Sequence, residues 1–219
     1  MLEKEYEEYL RDKRVILVGP ATYLIGRNQG EEIDNYDIVV RMNNSLPLPE
    51  EYHKYLGSRT DVLYHGLFSN GFPQESEKQH WREINLKWIV SKLGKSNSRS
   101  LRFEEFIKDI DIKWITTSKV RREISKYTKK SSSQGTITIV HLLQQPIKYL
   151  KVIGCDFYQT GYYLGYKGLQ DEEQIENIRK INQSGKIHHM DSQIKYCAKL
   201  WKEDDRLKVD DVLEKILTQ

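Results

Sequence analysis

The sequence predicts an α/β domain in which helices flank a mostly parallel sheet. Six short apolar runs have the composition of buried strands, and helical stripes of apolar residues lie between several of them. The runs are mainly apolar rather than strictly alternating, which is typical of strands covered on both faces, as in a parallel sheet. With 219 residues and no internal repeat, the chain fits one domain over residues 1–219.

The first element is a helix predicted over residues 2–12, where apolar and tyrosine side chains recur at helical spacing. Six strand candidates follow. They are RVILVG (14–19), IVVRMN (38–43), DVLYHG (61–66), KWIVSK (87–92), KWITTS (113–118) and LKVIGCD (150–156). The first ends in Gly-Pro, which indicates a strand that enters a loop.

Three further apolar stripes predict helices. They comprise Phe103, Phe106, Ile107 and Ile110; Met190, Ile194, Cys197 and Trp201; and Val209, Val212, Leu213 and Ile216, which close the chain. The run GTITIVHLL (135–143) is ambiguous, because its Thr/Ile alternation suits a strand whereas a serine before it and Pro146 after it suit a capped helix. We predict a helix there, and a loop over SKLGKSNSRS (91–100).

The composition is that of a globular chain and excludes a multi-span membrane protein. Hydrophobic residues make up 38% and charged residues 31%, the net charge is +3, and the mean hydropathy is −0.70. No window approaches the ~20 apolar residues of a membrane-spanning helix, and the N-terminus lacks an apolar signal segment. We therefore expect a soluble, cytoplasmic protein. Cys155 and Cys197, the only cysteines, exclude a disulfide scaffold and are expected as reduced thiols.

Polar or Gly-rich sequence follows three of the strands, and open α/β sheets bind ligands beyond the carboxyl ends of their strands. The first segment, GPATYLIGRNQG (19–30), is neither G-x-G-x-x-G nor a P-loop, which disfavours a nicotinamide or ATP enzyme. Whether it is a ligand loop or an ordinary strand–loop–helix turn stays open. In the second, VVRMNNS (39–45), Arg41 and Asn43 are predicted on one strand face, paired internally or meeting a ligand.

The third segment, SSSQGT (131–136), places hydroxyls and Gly135 at the start of the predicted helix. Free N–H groups and the helix dipole suit one phosphate there, and a plain N-cap is the alternative. A histidine in IHHMDSQ (187–193) suits a general base, the alternative being surface or capping histidines. We expect no metal, because adjacent histidines cannot both face one ion from a regular helix. Asp109-Ile110-Asp111 has metal-binding spacing but is predicted as a solvated turn.

A basic segment, KVRREISKYTKK (119–130), carries six cations against one acid and contains Tyr127. A solvated helix face is the first interpretation of such a run. The other interpretations are a peripheral contact with an anionic surface, binding of an acidic glycan and binding of a nucleic acid. Because the overall charge is only mildly positive, nucleic acid is not the expected partner.

Three regions of the chain share a resemblance. Within residues 14–66, GPATYLIGRNQGEEIDNYDIVVRMNN followed by LGSRTDVLYH resembles the large sialylmotif of the family 29 glycosyltransferases, the sialyltransferases. Residues 131–157, with SSQGTITIVHLLQQPIKYLKVIGCDF, resemble the small sialylmotif, and HHMDSQ in 187–201 resembles the very small one. The resemblance implies a single Rossmann-like domain, in the GT-A-like variant of this family.

The resemblance also implies a function. The chain would move a 2-keto sugar acid, sialic acid before Kdo, from a CMP-activated donor to a glycan hydroxyl with inversion, without a metal or cofactor. His188, or else His189, would be the general base. The donor-binding residues would be Gly19, Pro20, Ala21, Asn43, Ser133, Gln134, Gly135 and Thr136. Tyr162 and Tyr163 would lie on the acceptor or phosphate side.

The sequence also departs from the family pattern. Pro20-Ala21-Thr22 stands where Asn-Ser-Gly is usual, and Gln193 stands where the very small motif ends in Glu. The animal enzymes' disulfide cannot form, because only Cys155 lies in the large or small motif. A catalytically degenerate CMP-binding relative, or a basic binding module, is therefore the alternative function. Charged residues near the strand ends, Arg41 with Asp37 and Arg59 with Asp61, are expected as structural pairs.

Overall fold

A computed structural model describes residues 1–67 and 71–219, apart from the side chain of Lys167. Its centre is a seven-stranded sheet in the order β5-β4-β3-β2-β1-β6-β7, and every neighbouring pair is parallel. The strands are β1 (Arg14–Val18), β2 (Ile38–Met42), β3 (Val62–His65), β4 (Trp88–Ser91), β5 (Lys113–Thr116), β6 (Tyr149–Ile153) and β7 (Leu207–Val209). The predicted α/β, Rossmann-like fold class is confirmed.

Helices connect the strands and cover both faces of the sheet. They are α1 (Leu2–Leu10), α2 (Gly30–Asp34), α3 (His53–Leu56), α4 (Glu75–Glu83), α5 (Ser98–Ile107), α6 (Ser118–Ile124), α7 (Gln134–Leu143), α8 (Glu172–Gln183), α9 (Met190–Glu203) and α10 (Asp211–Leu217). The strand order reverses at β1, which lies between β2 and β6. In such sheets a crevice opens at this reversal, beyond the carboxyl ends of the strands.

Strand periodicity divides the core between the two faces. Val15 and Leu17 of β1 pack in one apolar cluster, and Ile16 and Val18 pack in another, because successive side chains point to opposite faces. The first cluster contains residues of α1, α7, α9 and α10, whereas the second contains Ile33 of α2 and others from α3. The face that carries α7 therefore holds one wall of the crevice.

Several element boundaries differ from the predictions. GTITIVHLL is helical, as predicted, and the first helix ends two residues early, at Leu10. The predicted loop over 91–100 is partly wrong. Asn97 is the N-cap of α5, and residues 98–100, the last three of the predicted loop, are the first residues of that helix. Val209 belongs to β7 rather than to the closing helix, because the Asp210 carboxylate caps α10 by accepting from the Leu213 N–H at 2.9 Å.

The predicted Arg41–Asp37 pair is wrong. Arg41 is 1% exposed, and its guanidinium donates to three carbonyls and one hydroxyl of residues 56–60 at 2.6–3.3 Å. Asp37 lies at the other end of β2 and pairs with Arg14 at 3.0 Å. The two groups could not meet, because the strand's length separates the start of β2 from its fourth residue.

Charged side chains at the amino ends of the strands form ion pairs near the protein surface. Arg59 and Asp61 pair at 3.0 Å, as predicted. The Arg14 guanidinium beside Asp37 lowers the pKa of that carboxyl to about 2.

Among the helices described above, none has both the length and the apolar composition needed to cross a membrane.

Candidate active site

A cleft of about 550 Å³ lies at the reversal point of the sheet. Its walls come from the ends of β1, β2 and β6, the start of α7 and the segment after β6. The lining residues are Pro20, Ala21, Met42, Asn43, Ser133, Gln134, Gly135, Thr136, Ile139, Gly154, Cys155, Asp156, Phe157, Tyr158, Tyr162 and Tyr166.

The segment after β1 is fixed to the segment after β6 by backbone contact. The Gly19 N–H donates to the Ile153 carbonyl at 2.8 Å. A Cβ at Gly19 would lie 2.0 Å from the Gly154 oxygen, so only glycine permits this approach. Ala21 then forms an antiparallel bridge with Tyr162. Gly19 thus holds the two loops together, and the residues that follow it line the cleft.

Backbone strain gathers at the same strand ends. Asn43, Phe157 and Tyr158 all have positive φ, at 52°, 52° and 67°, a conformation that non-glycine residues rarely adopt. The Asp156 carboxylate, 4% exposed, stabilises this turn by accepting from the Tyr158 N–H at 3.0 Å and from the N–H and hydroxyl of Thr160. Such strain clusters at ligand sites, where it positions particular side chains.

Asn43 does not share a strand face with Arg41, contrary to the prediction. β2 ends at Met42, and the positive φ of Asn43 breaks the alternation of the strand there. The Asn43 amide oxygen accepts from the Gly66 N–H at 3.2 Å, and its side chain hydrogen-bonds Tyr166. Asn43 therefore faces the cleft, whereas Arg41 faces residues 56–60.

The start of α7 forms a third wall and is supported from α9. The Ser133 hydroxyl caps the helix by accepting from the Thr136 N–H at 3.3 Å. The Gln193 amide oxygen, fully buried on α9, accepts from the Ser133 N–H and the Thr136 hydroxyl, each at 2.8 Å. The backbone N–H groups of Gln134 and Gly135 have no intrahelical acceptor, because they belong to the first turn.

The Gln134 side chain is an open hydrogen-bonding group in this wall. The residue is 7% exposed, and its amide oxygen and nitrogen are both buried without a hydrogen-bond partner in the part of the chain that the structure describes. Burying an amide in this way costs free energy unless a ligand or water completes it. The group therefore indicates where a polar ligand binds.

The two histidines have different roles. His189 is the N-cap of α9, and its Nδ1 accepts from the Ser192 N–H at 3.2 Å. The His188 Nδ1 lies 2.6 Å from the Ser131 carbonyl oxygen, which can only accept, so Nδ1 carries the proton and Nε2 is the basic nitrogen. The His188 ring is stacked with Tyr158, a cleft residue, with the ring centroids 6.4 Å apart, but His188 does not itself line the cleft.

A model of glycosyltransferase family 29 (sialyltransferase) matches residues 3–150, more than half of the chain. The chain belongs to this family. The matched range contains the large-motif region and most of the small-motif region, whereas residues 187–201 lie outside it. Membership and fold support glycosyl transfer as the activity of the chain.

Two crystal structures of mammalian sialyltransferases resemble the chain. One, solved with Gal-beta-1-3GalNAc-ortho-nitrophenol, is 17% identical with a TM-score of 0.49, over 81% of this chain and 68% of that one. The other is 16% identical with a TM-score of 0.47, over 84% of this chain and 76% of that one. No individually curated protein matches the chain.

In this family member the cleft gathers most, but not all, of the residues expected at the site. Pro20, Ala21, Asn43 and the four residues 133–136 line it, as does Tyr162, whereas Gly19, His188 and His189 do not. Tyr163 instead lies 3% exposed in an aromatic cluster with Tyr52 and Tyr166. Burial raises the pKa of the Tyr163 hydroxyl to about 12.

Sequence reasoning missed the apolar part of the cleft. Met42, Ile139 and Phe157 line it beside the polar groups. Their apolar character suggested core positions, and Phe157 faces the cleft only because its backbone is left-handed. Asp109 and Asp111 lie in a turn, as predicted, where Asp109 pairs with Lys78 at 3.0 Å. Across residues 1–67 and 71–219, no three His, Cys, Asp or Glu side chains form a metal-binding group.

Proposed function

We propose that the chain transfers a 2-keto sugar acid from a CMP-activated donor to a glycan hydroxyl, with inversion. Sialic acid is the favoured sugar and Kdo the second. The observation that supports this best is that Pro20, Asn43 and residues 133–136 share one cleft in a family 29 chain. Three separate segments thus meet around a space that suits a nucleoside monophosphate.

The phosphate of CMP would bind at the start of α7. The free N–H groups of Gln134 and Gly135 and the helix dipole stabilise a single phosphate as its negative charge grows. A Cβ at Gly135 would lie 3.9 Å from the Cys155 sulfur, so the glycine leaves this approach open. Asn43 and the segment from Pro20 to Ala21 would contact the nucleoside on the other side of the cleft.

His188 would be the general base in this reaction. The acceptor oxygen bonds to the anomeric carbon while its proton passes to Nε2 of His188. The bond between the anomeric carbon and the phosphate oxygen breaks, and CMP leaves with the electron pair. The Ser131 carbonyl keeps the proton on Nδ1, so the imidazole is oriented for this transfer, which contributes roughly 10²–10⁴-fold in rate.

Thermal unfolding with CMP, UDP, GDP and NAD tests the donor assignment. CMP at a hundred times its Kd would stabilise the chain by about 2.7 kcal/mol, which raises the midpoint by about 5–10 °C for a chain of this size. The shift should persist in EDTA. A preference for UDP that requires a divalent metal would contradict the proposal.

Release of CMP from CMP-sialic acid then tests the base. His188→Ala should reduce turnover at least 100-fold and keep CMP binding. His189→Ala is the matched control, because it removes only a helix cap and costs about 1 kcal/mol of stability. CMP binding without turnover in the unaltered chain would identify a degenerate relative instead.

A further inference from the structure

The basic segment forms one surface with the face of α9. Lys119, Arg122 and Lys126 are spaced three and four residues apart, so they lie on one side of α6 and the turn after it. Lys195 and Lys199 are likewise one turn apart on α9. We name these five side chains, together with Lys129, the cationic face; Tyr127 lies between Lys126 and Lys129 in the sequence.

Contacts between the two elements make this face a single surface. The Tyr127 ring stacks on Tyr196 of α9, with centroids 4.8 Å apart and planes 7° apart. The Lys199 ammonium lies 5.9 Å from the Tyr127 centroid, and the Lys129 N–H donates to the Ser192 hydroxyl at 3.3 Å. The cations of α6 and of α9 therefore hold a fixed arrangement around the aromatic stack.

The charge of the face is poorly neutralised within the chain. In the part of the chain that the structure describes, Lys199 is the one member with an ion pair, at 3.9 Å to Glu203. The nearby acid Glu123 accepts instead from the Gln144 amide at 3.1 Å. The six cations thus outnumber the nearby acids Glu123 and Glu203, and such a concentration of positive charge attracts an anionic surface.

Tyr127 shows which anionic surface fits. Its side chain is 52% exposed, and it lines an open, shallow depression together with Lys119, Arg122, Lys126 and the acid Glu123. A nearly flat cationic surface with an exposed tyrosine suits the head-group layer of a bilayer, where amphipathic aromatic rings lie at the interface.

We propose that the cationic face binds an anionic lipid bilayer and holds the chain against it. Residues 131 and 132 connect this face directly to the start of α7, and the Ser131 carbonyl also binds His188. Docking would therefore turn the side of the chain that carries His188 toward the membrane surface. Bilayer binding itself requires neither CMP nor turnover, so its test is independent of the transferase assignment.

Sedimentation of the whole chain with vesicles tests this proposal. Vesicles of phosphatidylcholine with about one-third phosphatidylserine should bind it at low salt, and pure phosphatidylcholine vesicles should not. Reversing Arg122, Lys126 and Lys199 to Glu should weaken binding at least about 100-fold, since each cation contributes roughly fivefold to partitioning. Equal binding to neutral vesicles, or unchanged binding of the variant, would overturn the proposal.

A matched control changes the same charge elsewhere. Lys13, Lys87 and Lys148 are exposed and directly precede β1, β4 and β6, outside the cationic face. Reversing all three to Glu should leave vesicle binding within about threefold of the unaltered chain. Thermal unfolding of both triple variants confirms that each is folded. If the control loses as much binding, net charge rather than the face is responsible, and the proposal is wrong.

Tyr127→Ser separates a bilayer from other polyanions. It should weaken vesicle binding several-fold without changing its salt dependence, because the ring inserts among head groups while the charges stay. Duplex DNA and heparin serve as competitors. Unchanged vesicle binding by Tyr127→Ser, or tight binding of DNA or heparin without vesicle binding, would overturn the proposal.

Discussion

Two buried polar side chains, Arg41 and Gln134, differ in whether the protein itself supplies their hydrogen-bond partners. Arg41 directs its guanidinium at residues 56–60 and finds acceptors at 2.6–3.3 Å. Gln134 is almost as buried, yet both polar atoms of its amide lack a partner among the residues that the structure describes. A buried group that is satisfied inside the chain stabilises the fold, whereas one left open in a cleft indicates a ligand.

The largest expected effect is the loss of stability on replacing Arg41, whose hydrogen bonds are all made within the chain. Arg41→Leu leaves buried carbonyls without donors and should lower the free energy of unfolding by at least about 3 kcal/mol. The midpoint of thermal unfolding should fall by at least about 6 °C. Arg14→Leu is the control, because its pair with Asp37 is exposed to solvent and such surface pairs contribute little to stability. Similar losses in both variants would contradict the comparison.

A pair of glutamine variants sharpens the contrast. Gln193→Leu removes the oxygen that accepts from Ser133 and Thr136, and it should cost about 2 kcal/mol of stability. Gln134→Leu removes an unsatisfied amide, so stability should be equal or slightly higher, while CMP-sialic acid binds at least tenfold more weakly. Urea unfolding and ligand titration measure both. A large loss of stability in Gln134→Leu would show that its amide is satisfied within the protein.

Lowering the pH should destabilise the chain because of His141, a buried histidine. Its Nδ1 is hydrogen-bonded to the Tyr64 hydroxyl at 2.7 Å. Burial lowers the pKa of His141 to about 4, so the unfolded chain takes up this proton first as the pH falls below about 6.5. Stability is complete above that pH and should drop by roughly 2 kcal/mol between pH 7.5 and pH 5. His141→Asn should remove this part of the pH dependence, whereas His53→Asn, at a partly exposed histidine, should keep it. If the free energy of unfolding varies with pH in the same way in the unaltered chain, His141→Asn and His53→Asn, then His141 is not the cause of the pH dependence.

A small gain in stability is expected at Gly135. Its Cβ would make ordinary contacts at 3.9–4.0 Å, so Gly135→Ala should stabilise the helix by up to about 1 kcal/mol. The same methyl group enters the cleft and should weaken CMP binding at least tenfold. Gly94→Ala, outside the cleft with its nearest contact at 3.8 Å, should leave CMP binding unchanged. Undiminished CMP binding by Gly135→Ala would place the phosphate elsewhere.

The sequence sufficed for the sheet because its strands are apolar on both faces. The six longest strands were all predicted from such runs. β7 was not, since it has three residues, one of them an exposed lysine. α8 was not predicted, although Ile175 and Ile178 on one of its faces pack against the second apolar cluster; none of its residues is fully buried.

The site was less predictable than the sheet, and the reason is geometric. Local motifs identified the turn at 133–136 and the residues after β1. The support from Gln193 and the acceptors of Arg41 come from segments distant in sequence, which only the fold brings together. The wall made by Phe157 and Tyr158 depends on a left-handed turn stabilised by Asp156, and neither residue type normally adopts that conformation.

The amide of Gln193 joins two segments that are 60 positions apart along the chain, the start of α7 and the first turn of α9. Surface segments between β6 and α9 can therefore lengthen or shorten without moving the start of α7 relative to the first turn of α9, because that spacing is set by the hydrogen bonds of Gln193 and not by the connecting loop. Under the proposed function, insertions there are a route by which the chain could acquire a new acceptor preference while the start of α7 stays in place.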